Sequence, residues 1–235
     1  MSGEGVRSFA DLHCHTSASF DSLSDPRAVV RAAHDRGMTH LAITDHDRLD
    51  GALAAREAAP AALHVIIGQE VRTTAGDLIG LYLDSPVPAG LTPARAAATI
   101  REQGGLVGLP HPFDRYRGSA AWGRDQSQLA ELAQLLDYVE AWNARIMIGD
   151  GNQRAAEFAL GHGLPGVAVS DAHTVMEVAV AYTVVDGPLD TPAEARAALA
   201  DARLVAGRAS RLIRAGMPVA KLVQRLRGNR RVAVS

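Results

Sequence analysis

The chain has 235 residues, of which 47% are hydrophobic and 21% charged, and its formal net charge is −2. Such a chain can bury a sizeable aliphatic core in one α/β or barrel domain, which excludes a disordered or fibrous protein. The near-neutral balance argues against nucleic acid as a favoured partner, and no apolar run reaches the roughly 20 residues of a membrane span.

The charge is unevenly spread. From Leu204 to Ser235 eight residues are basic and none acidic, leaving 16 basic against 26 acidic residues before them. An acidic body suits cations, and a basic tail can contact an anionic surface. Cys14 is the single cysteine, so no intramolecular disulfide is possible. Together with an amino terminus that lacks an apolar leader, this predicts a cytoplasmic protein.

In chain order, "FADLH" reads as a strand. A helix follows with Asp25 as N-cap, Pro26 at N1 and Gly37 as its stop. "THLAITDHD" is a strand and "DGALAAREAA" a short helix, and "LHVIIGQEVRT" and "DLIGLYL" are a strand pair joined around "TAGD". Three further helix–strand units follow: "TPARAAATIREQGG" with "LVGLPHP", "QSQLAELAQLL" with "YVEAWN", and "NQRAAEFALGHG" with "GVAVSDAH". "AYTVVD" and the helix "TPAEARAALADA" close the series. The β-α rhythm predicts a parallel sheet covered by helices, with a barrel favoured over an open doubly wound sheet.

The strand ends carry the chemistry. His13 and His15 end one, Asp45 and His46 the next, and Glu70 a third; His111, then Glu140 and Asn143, then Asp171 and His173 end later ones. In a β/α barrel the carboxyl ends of the strands meet on one rim. Imidazoles and carboxylates gathered there are costly to desolvate unless paired or bound to metal. Their joint placement predicts a catalytic metal centre. His34, His40, His64 and His162 lie away from those ends and read as ordinary. Cys14 alternates away from its neighbouring histidines and reads as packing.

In order along the chain, "DLHCHTSASFDS", "LAITDHD", "GQEV", "LPHPFDR", "VEAWNAR" and "SDAHT" resemble the PHP (polymerase and histidinol phosphatase) family of metal-dependent phosphoesterases, in its compact stand-alone form. The resemblance covers roughly residues 9–185. It implies a distorted seven-stranded, TIM-like β/α barrel over residues 1–206, with a basic helical extension at 207–235. It also implies two or three divalent ions. His13, His15, Glu70 and Asp171 would hold the first, Glu70 and His111 a second, and Asp21, His46 and His173 a third. Asn143 stands near where some relatives place another ligand of the second ion, and Asp21 where some have histidine.

A ligand set of oxygen and imidazole without thiolate suits Mn²⁺, Fe²⁺ or Zn²⁺. A carboxylate bridge such as Glu70 holds ions at the spacing used for displacement at phosphorus, with metal-bridging hydroxide as the expected nucleophile. Arg115 and Arg145 are candidate phosphate contacts, with Arg72 a weaker one. Asp45 is expected either to orient an imidazole or to cap its strand, and Asp45, His173 and metal-bound water are all candidate leaving-group acids. The expected reaction is hydrolysis of a small phosphomonoester such as a nucleotide. Phosphodiester or exonuclease action on short oligonucleotides is the alternative. Amide hydrolysis is a further one, disfavoured because Lys221, the only lysine, lies in the tail and leaves no bridging carboxylated lysine. A metal-binding module without turnover is a non-enzymatic rival. Trp122 and Trp142 could stack a base. The tail pattern, with Leu212, Ile213, Val219, Leu222, Val223 and Leu226 apolar, predicts two short helices split by Gly216 and Pro218. The sequence leaves the oligomeric state open.

Overall fold

The computed structural model describes residues 6–210, 213 and 216–234. Arg211, Leu212 and Arg214, part of the first predicted tail helix, lie outside the described residues. Among the described residues no helix is long and apolar enough to cross a membrane.

Among the described residues nine strands form one sheet: β1 (Arg7–Cys14), β2 (His40–Ile43), β3 (His64–Thr73), β4 (Gly76–Leu81), β5 (Leu106–Leu109), β6 (Tyr138–Asn143), β7 (Gly166–Val169), β8 (Tyr182–Asp186) and β9 (Arg203–Val205). Their order is β7-β6-β5-β4-β3-β2-β1-β8-β9. The helices are α1 (Pro26–Asp35), α2 (Asp50–Ala58), α3 (Pro93–Glu102), α4 (Gln126–Ala133), α5 (Gly151–Gly161), α6 (Pro192–Ala198) and α7 (Met217–Leu226). Asp25 caps α1 through its side chain and Pro26 sits in the first turn, as expected. In the tail, Pro218 lies in the first turn of α7, so it opens a helix there.

The sheet is a nearly closed barrel with mixed strand directions. β1–β2–β3 and β5–β6–β7 pair parallel, whereas β4 runs antiparallel to both β3 and β5. Only Thr74 and Ala75 separate β3 from β4, far too few for the crossover of a dozen or more residues that a parallel return requires. The reversal brings the amino end of β4, with Asp77, to the rim where its neighbours' carboxyl ends lie. β8 and β9 are antiparallel additions beside β1, which accounts for nine strands where seven were expected.

Side chains on the two faces of the sheet separate into two cores. Ala10, Leu12, Ala42, Ile66, Leu106 and Tyr138 fill the closed end of the barrel. Val29, Ala52, Ala97, Ile100 and Phe158 belong to the layer under the helices. Gly108 has no side chain because the Tyr138 ring occupies that space: a Cβ there would lie 2.2 Å from Cζ.

Two register shifts interrupt the alternation. In β1 the pairing slips by one residue between Asp11 and Cys14, and in β6 between Glu140 and Trp142. The first lets Leu12 fill the barrel floor while His13 and His15 also point inward. The second lets Glu140 and Asn143, three apart, share one interior. Such bulges re-aim side chains beside functional sites.

Closure between β7 and β1 rests on Asp11. Its buried carboxylate accepts the Ser170 N–H at 3.0 Å and the Ala179 N–H at 2.9 Å, and the Ser170 hydroxyl. The His15 N–H donates to Ala172 O at 2.8 Å just above. Asp11→Ala would leave two buried backbone donors unpaired, at about 1–3 kcal/mol each. Urea unfolding should therefore show a loss of at least about 2 kcal/mol, and an unchanged midpoint would contradict this role for Asp11.

Candidate metal centre

Five strand ends and the loop after β1 deliver His13, His15, Asp21, His46, Glu70, His111, Asp171 and His173 to one cavity of about 330 Å³ or its floor. Strand parity explains most of it. Ala42 and Ile66 point into the barrel, so His46 and Glu70, four residues further along each chain, point the same way. Val167 and Val169 likewise lead to Asp171 and His173. His111 and Asp171 hold left-handed backbones, with φ of 30° and 53°. For residues other than glycine such strain costs about 1–3 kcal/mol and concentrates at functional sites.

Glu70 is at the middle. Its Oε2 lies 3.3 Å from His13 Nε2, 3.4 Å from His15 Nε2 and 3.4 Å from His46 Nδ1, and its Oε1 lies 3.2 Å from His111 Nε2. Asp171 Oδ1 is 3.7 and 3.6 Å from the same His13 and His15 nitrogens. Asp21 Oδ2 is 3.3 Å from His173 Nε2 and 3.7 Å from His46 Nε2. These separations exceed the roughly 2.7–2.9 Å of a charge-assisted hydrogen bond. The four Glu70 contacts and the Asp21–His173 contact match the edge of a coordination polyhedron, about 3.0–3.4 Å for bonds near 2.1 Å, and the other three lie a few tenths of an ångström beyond it.

His13 supplies an internal contrast. Its Nδ1 makes a true hydrogen bond to Glu140 Oε1 at 2.5 Å, while its Nε2 faces His15 Nε2 at 2.9 Å. Two imidazole nitrogens and two carboxylates converging on one point fit a cation. Asp21 Oδ1, buried, has no hydrogen-bond partner among the described residues. His13, His15 and Asp171, and separately His15, His46 and His173, each offer three ligand atoms within 4.8 Å of one another. The residues present therefore fit divalent ions.

The supporting shell was partly missed in the sequence. Glu140 orients His13 and accepts the His111 N–H at 2.8 Å. Asn143 donates to Glu140 at 2.8 Å and to Asp171 at 3.0 Å, so its amide positions carboxylates rather than facing an ion. Asp45, on the outward parity from His46, accepts the Thr16 N–H and hydroxyl at 2.6 Å each. It ties down the β1–α1 loop and also bonds Ser19, whose hydroxyl lies 3.0 Å from His15 Nδ1, so it reaches that imidazole through one side chain. Gly51 makes room for that contact, since a Cβ would lie 2.0 Å from Asp45 Oδ2.

The arginines are redistributed. Arg115 is exposed and lies over the Tyr116 ring, away from the ligands. Arg117, two residues on, pairs with Asp114 at 2.7 Å and with Asp171, and lies 3.3 Å from Asn143 Oδ1. Arg145 is buried on the cavity wall, and Arg72 pairs with Asp77 at 3.0 Å. Trp142 donates to Gly207 O at 2.8 Å, and Trp122 borders a separate small cavity. Phe20, 4.8 Å from the His46 ring, lines the cavity together with Tyr116. No signal in the sequence marked Phe20, Asp77 or Arg117.

The tail closes over the mouth. Gln224, buried in α7, donates through Nε2 to the Ser17, Ser19 and Ser22 carbonyls at 2.6–2.8 Å. Asn229 donates to Ala18 O at 2.8 Å, and Arg231 pairs with Asp77 at 2.5 Å. Met217, Pro218, Lys221 and Arg231 thereby border the cavity.

Charge sets the protonation of the ligands. Burial pushes the His46 pKa down, but Glu70 and Asp21 outweigh it and raise it to about 9. Burial and Arg145 lower His173 to about 3. Burial opposes ionisation of Asp171, yet Arg117 and His13 hold its carboxyl well below the usual range.

The comparisons agree with this geometry. The PHP domain family matches residues 11–138, and the PHP-associated family matches residues 149–204. An uncharacterized protein of Methanocaldococcus jannaschii is 33% identical over 172 residues, 73% of this chain and 68% of its own length. A 5'-3' exoribonuclease of Haemophilus influenzae is 29% identical over 117 residues, 44% of this chain and 42% of its own. A crystal structure of a two-domain protein from Bacteroides vulgatus, described as containing a predicted PHP-like metal-dependent phosphoesterase, superimposes with a TM-score of 0.72. It is 18% identical, with 87% of this chain and 66% of that one covered.

The chain belongs to the PHP family of metal-dependent phosphoesterases. It has that family's α/β barrel.

Protonation makes metal uptake pH-dependent. In the metal-free chain the His46 pairing stabilises fully below its ordinary pKa of 6.5 and is lost as pH rises through about 9. A divalent ion needs the same nitrogen deprotonated, so binding at pH 7 should release protons and tighten as pH rises towards 9. Zn²⁺ titration in weakly buffered solution reads this directly; uptake with no proton release would contradict it.

Proposed function

We propose that the chain hydrolyses small phosphomonoesters, nucleotides among them, with two or three Mn²⁺, Fe²⁺ or Zn²⁺ ions held by His13, His15, Asp21, His46, Glu70, His111, Asp171 and His173. The observation that carries this reading is the make-up of one cavity. Its floor is a cluster of carboxylates and imidazoles, and its walls include Arg117, Arg145, Lys221 and Arg231. Ligands for cations beside fixed cationic donors suit a phosphate group, whose oxygens can face both.

Bound divalent ions would supply Lewis acidity and lower the pKa of water to near neutrality. The chain's own residues do the rest. Glu70 would be a ligand shared between neighbouring ions, and Glu140 fixes the His13 tautomer by accepting a hydrogen bond from its Nδ1–H. Arg117 can turn its guanidinium from Asp171 to phosphate oxygens once ions occupy that carboxylate. Arg145 offers a second fixed charge. Met217, Pro218 and the docked tail limit water access and favour a small substrate. The exoribonuclease relative supports phosphodiester cleavage as a second reading, one that requires the tail to admit an oligonucleotide.

Phosphate release from a panel of phosphorylated metabolites, nucleotides and short oligonucleotides, with Mn²⁺ and then after chelation, tests the proposal. Turnover should require metal, and full activity in stripped protein would refute it. Glu70→Gln should lose at least one ion and about 10²–10³-fold in kcat; unchanged metal content would remove its bridging role. Arg117→Met should raise KM by about tenfold through loss of a charged contact, while Arg115→Met stays near wild type. Equal effects from both would contradict the assignment of Arg117.

A further inference from the structure

We propose that His40, His64 and Asp190 form a second transition-metal site at the opposite end of the barrel from the catalytic centre. His40 and His64 start the parallel neighbours β2 and β3 and are direct partners in register, so their side chains emerge side by side, with ring centroids 5.4 Å apart. Asp190, in the connection between β8 and α6, reaches both. Its Oδ1 lies 3.2 Å from His40 Nε2 and 3.3 Å from His64 Nδ1. The three ligand atoms lie within 4.8 Å of one another.

The distances repeat the pattern seen around Glu70. His40 Nδ1 makes an ordinary hydrogen bond to Thr39 Oγ1 at 2.8 Å, which fixes the ring and points Nε2 at Asp190. The His40 contact to Oδ1 is at the long end of a hydrogen bond and the His64 contact just beyond it, and both equal the edges of a coordination polyhedron, about 3.0–3.4 Å. One carboxylate oxygen placed equally between two imidazole nitrogens is an arrangement that an ion completes. A cavity of about 780 Å³ opens over the group, with Asp84 and Tyr82 also on its wall, leaving room for water in the remaining positions.

Two imidazoles and one carboxylate select Zn²⁺, Co²⁺, Ni²⁺ or Cu²⁺ over Mg²⁺ and Ca²⁺. His40 and His64 belong to the PHP-matched segment and Asp190 to the PHP-associated one. The ion would therefore join the two segments at the end of the barrel remote from Asp171 and His173. This site has a structural role and stands independently of the proposed catalytic chemistry.

The test is equilibrium dialysis of the full chain against micromolar free Zn²⁺, with elemental analysis of wild type, Asp190→Asn, His64→Gln and Glu70→Gln. Asp190→Asn and His64→Gln alter half-exposed or exposed side chains, and circular dichroism checks their folding. Each should bind one ion fewer than wild type, or bind that ion at least about tenfold more weakly, with Mn²⁺-supported turnover unchanged. Glu70→Gln should retain the ion, and the rise of its thermal midpoint with Zn²⁺ should shrink on adding Asp190→Asn. Wild-type stoichiometry and affinity in both Asp190→Asn and His64→Gln would overturn the proposal, as would a Zn²⁺-induced rise in the Glu70→Gln midpoint that Asp190→Asn leaves undiminished.

Discussion

A single buried carboxylate, Glu70, lies within 3.4 Å of four imidazoles, and the rest of the site is arranged around that fact. Taking so many ionisable groups out of water is unfavourable by several kcal/mol per ion unless their charges and lone pairs are satisfied. Hydrogen bonding among the groups is a poor solution, because most of their separations are too long for it. Cations at the centre satisfy carboxylates and imidazoles together. The barrel can then be read as a frame that keeps these groups from relaxing apart.

The frame works through strand direction and two small irregularities. Parallel strands bring carboxyl ends to one rim, and the antiparallel β4 adds Asp77 from its amino end. The register shifts in β1 and β6 place Leu12 with His13, and Glu140 with Asn143, where uninterrupted alternation would send one of each pair outward. Asp11 then holds β1 to the segment after β7, which carries Asp171 and His173. The PHP-matched segment alone lacks these two groups, so closure and ligand assembly are one event.

Much of this was legible in the sequence because it depends on local pattern. Histidines and acids at strand ends are visible as residues following short apolar runs, and the barrel follows from the repeated β-α order. Positions set by longer-range geometry were not legible. Arg115 and Arg117 are equally plausible in "FDRYR", and only the path of the loop decides that Arg117 meets Asp171. Asp45 sits beside His46 in sequence, yet pleating turns it outward to Thr16. Asp77 belongs to the rim only because β4 reverses. Lys221 and Arg231 reach the cavity because Gln224 and Asn229 find the carbonyls of a loop some 200 residues earlier. His40 and His64 looked ordinary because neither ends a strand; their pairing and Asp190 exist only in the folded sheet.

The most direct measurement of the central idea is anomalous diffraction from crystals soaked in Mn²⁺, recorded near the manganese absorption edge. Strong peaks should flank the Glu70 carboxylate, in bonding reach of His13, His15 and Asp171 on one side and of His111 on another. A fully occupied Mn²⁺ site elsewhere with no peak around Glu70 would contradict the account.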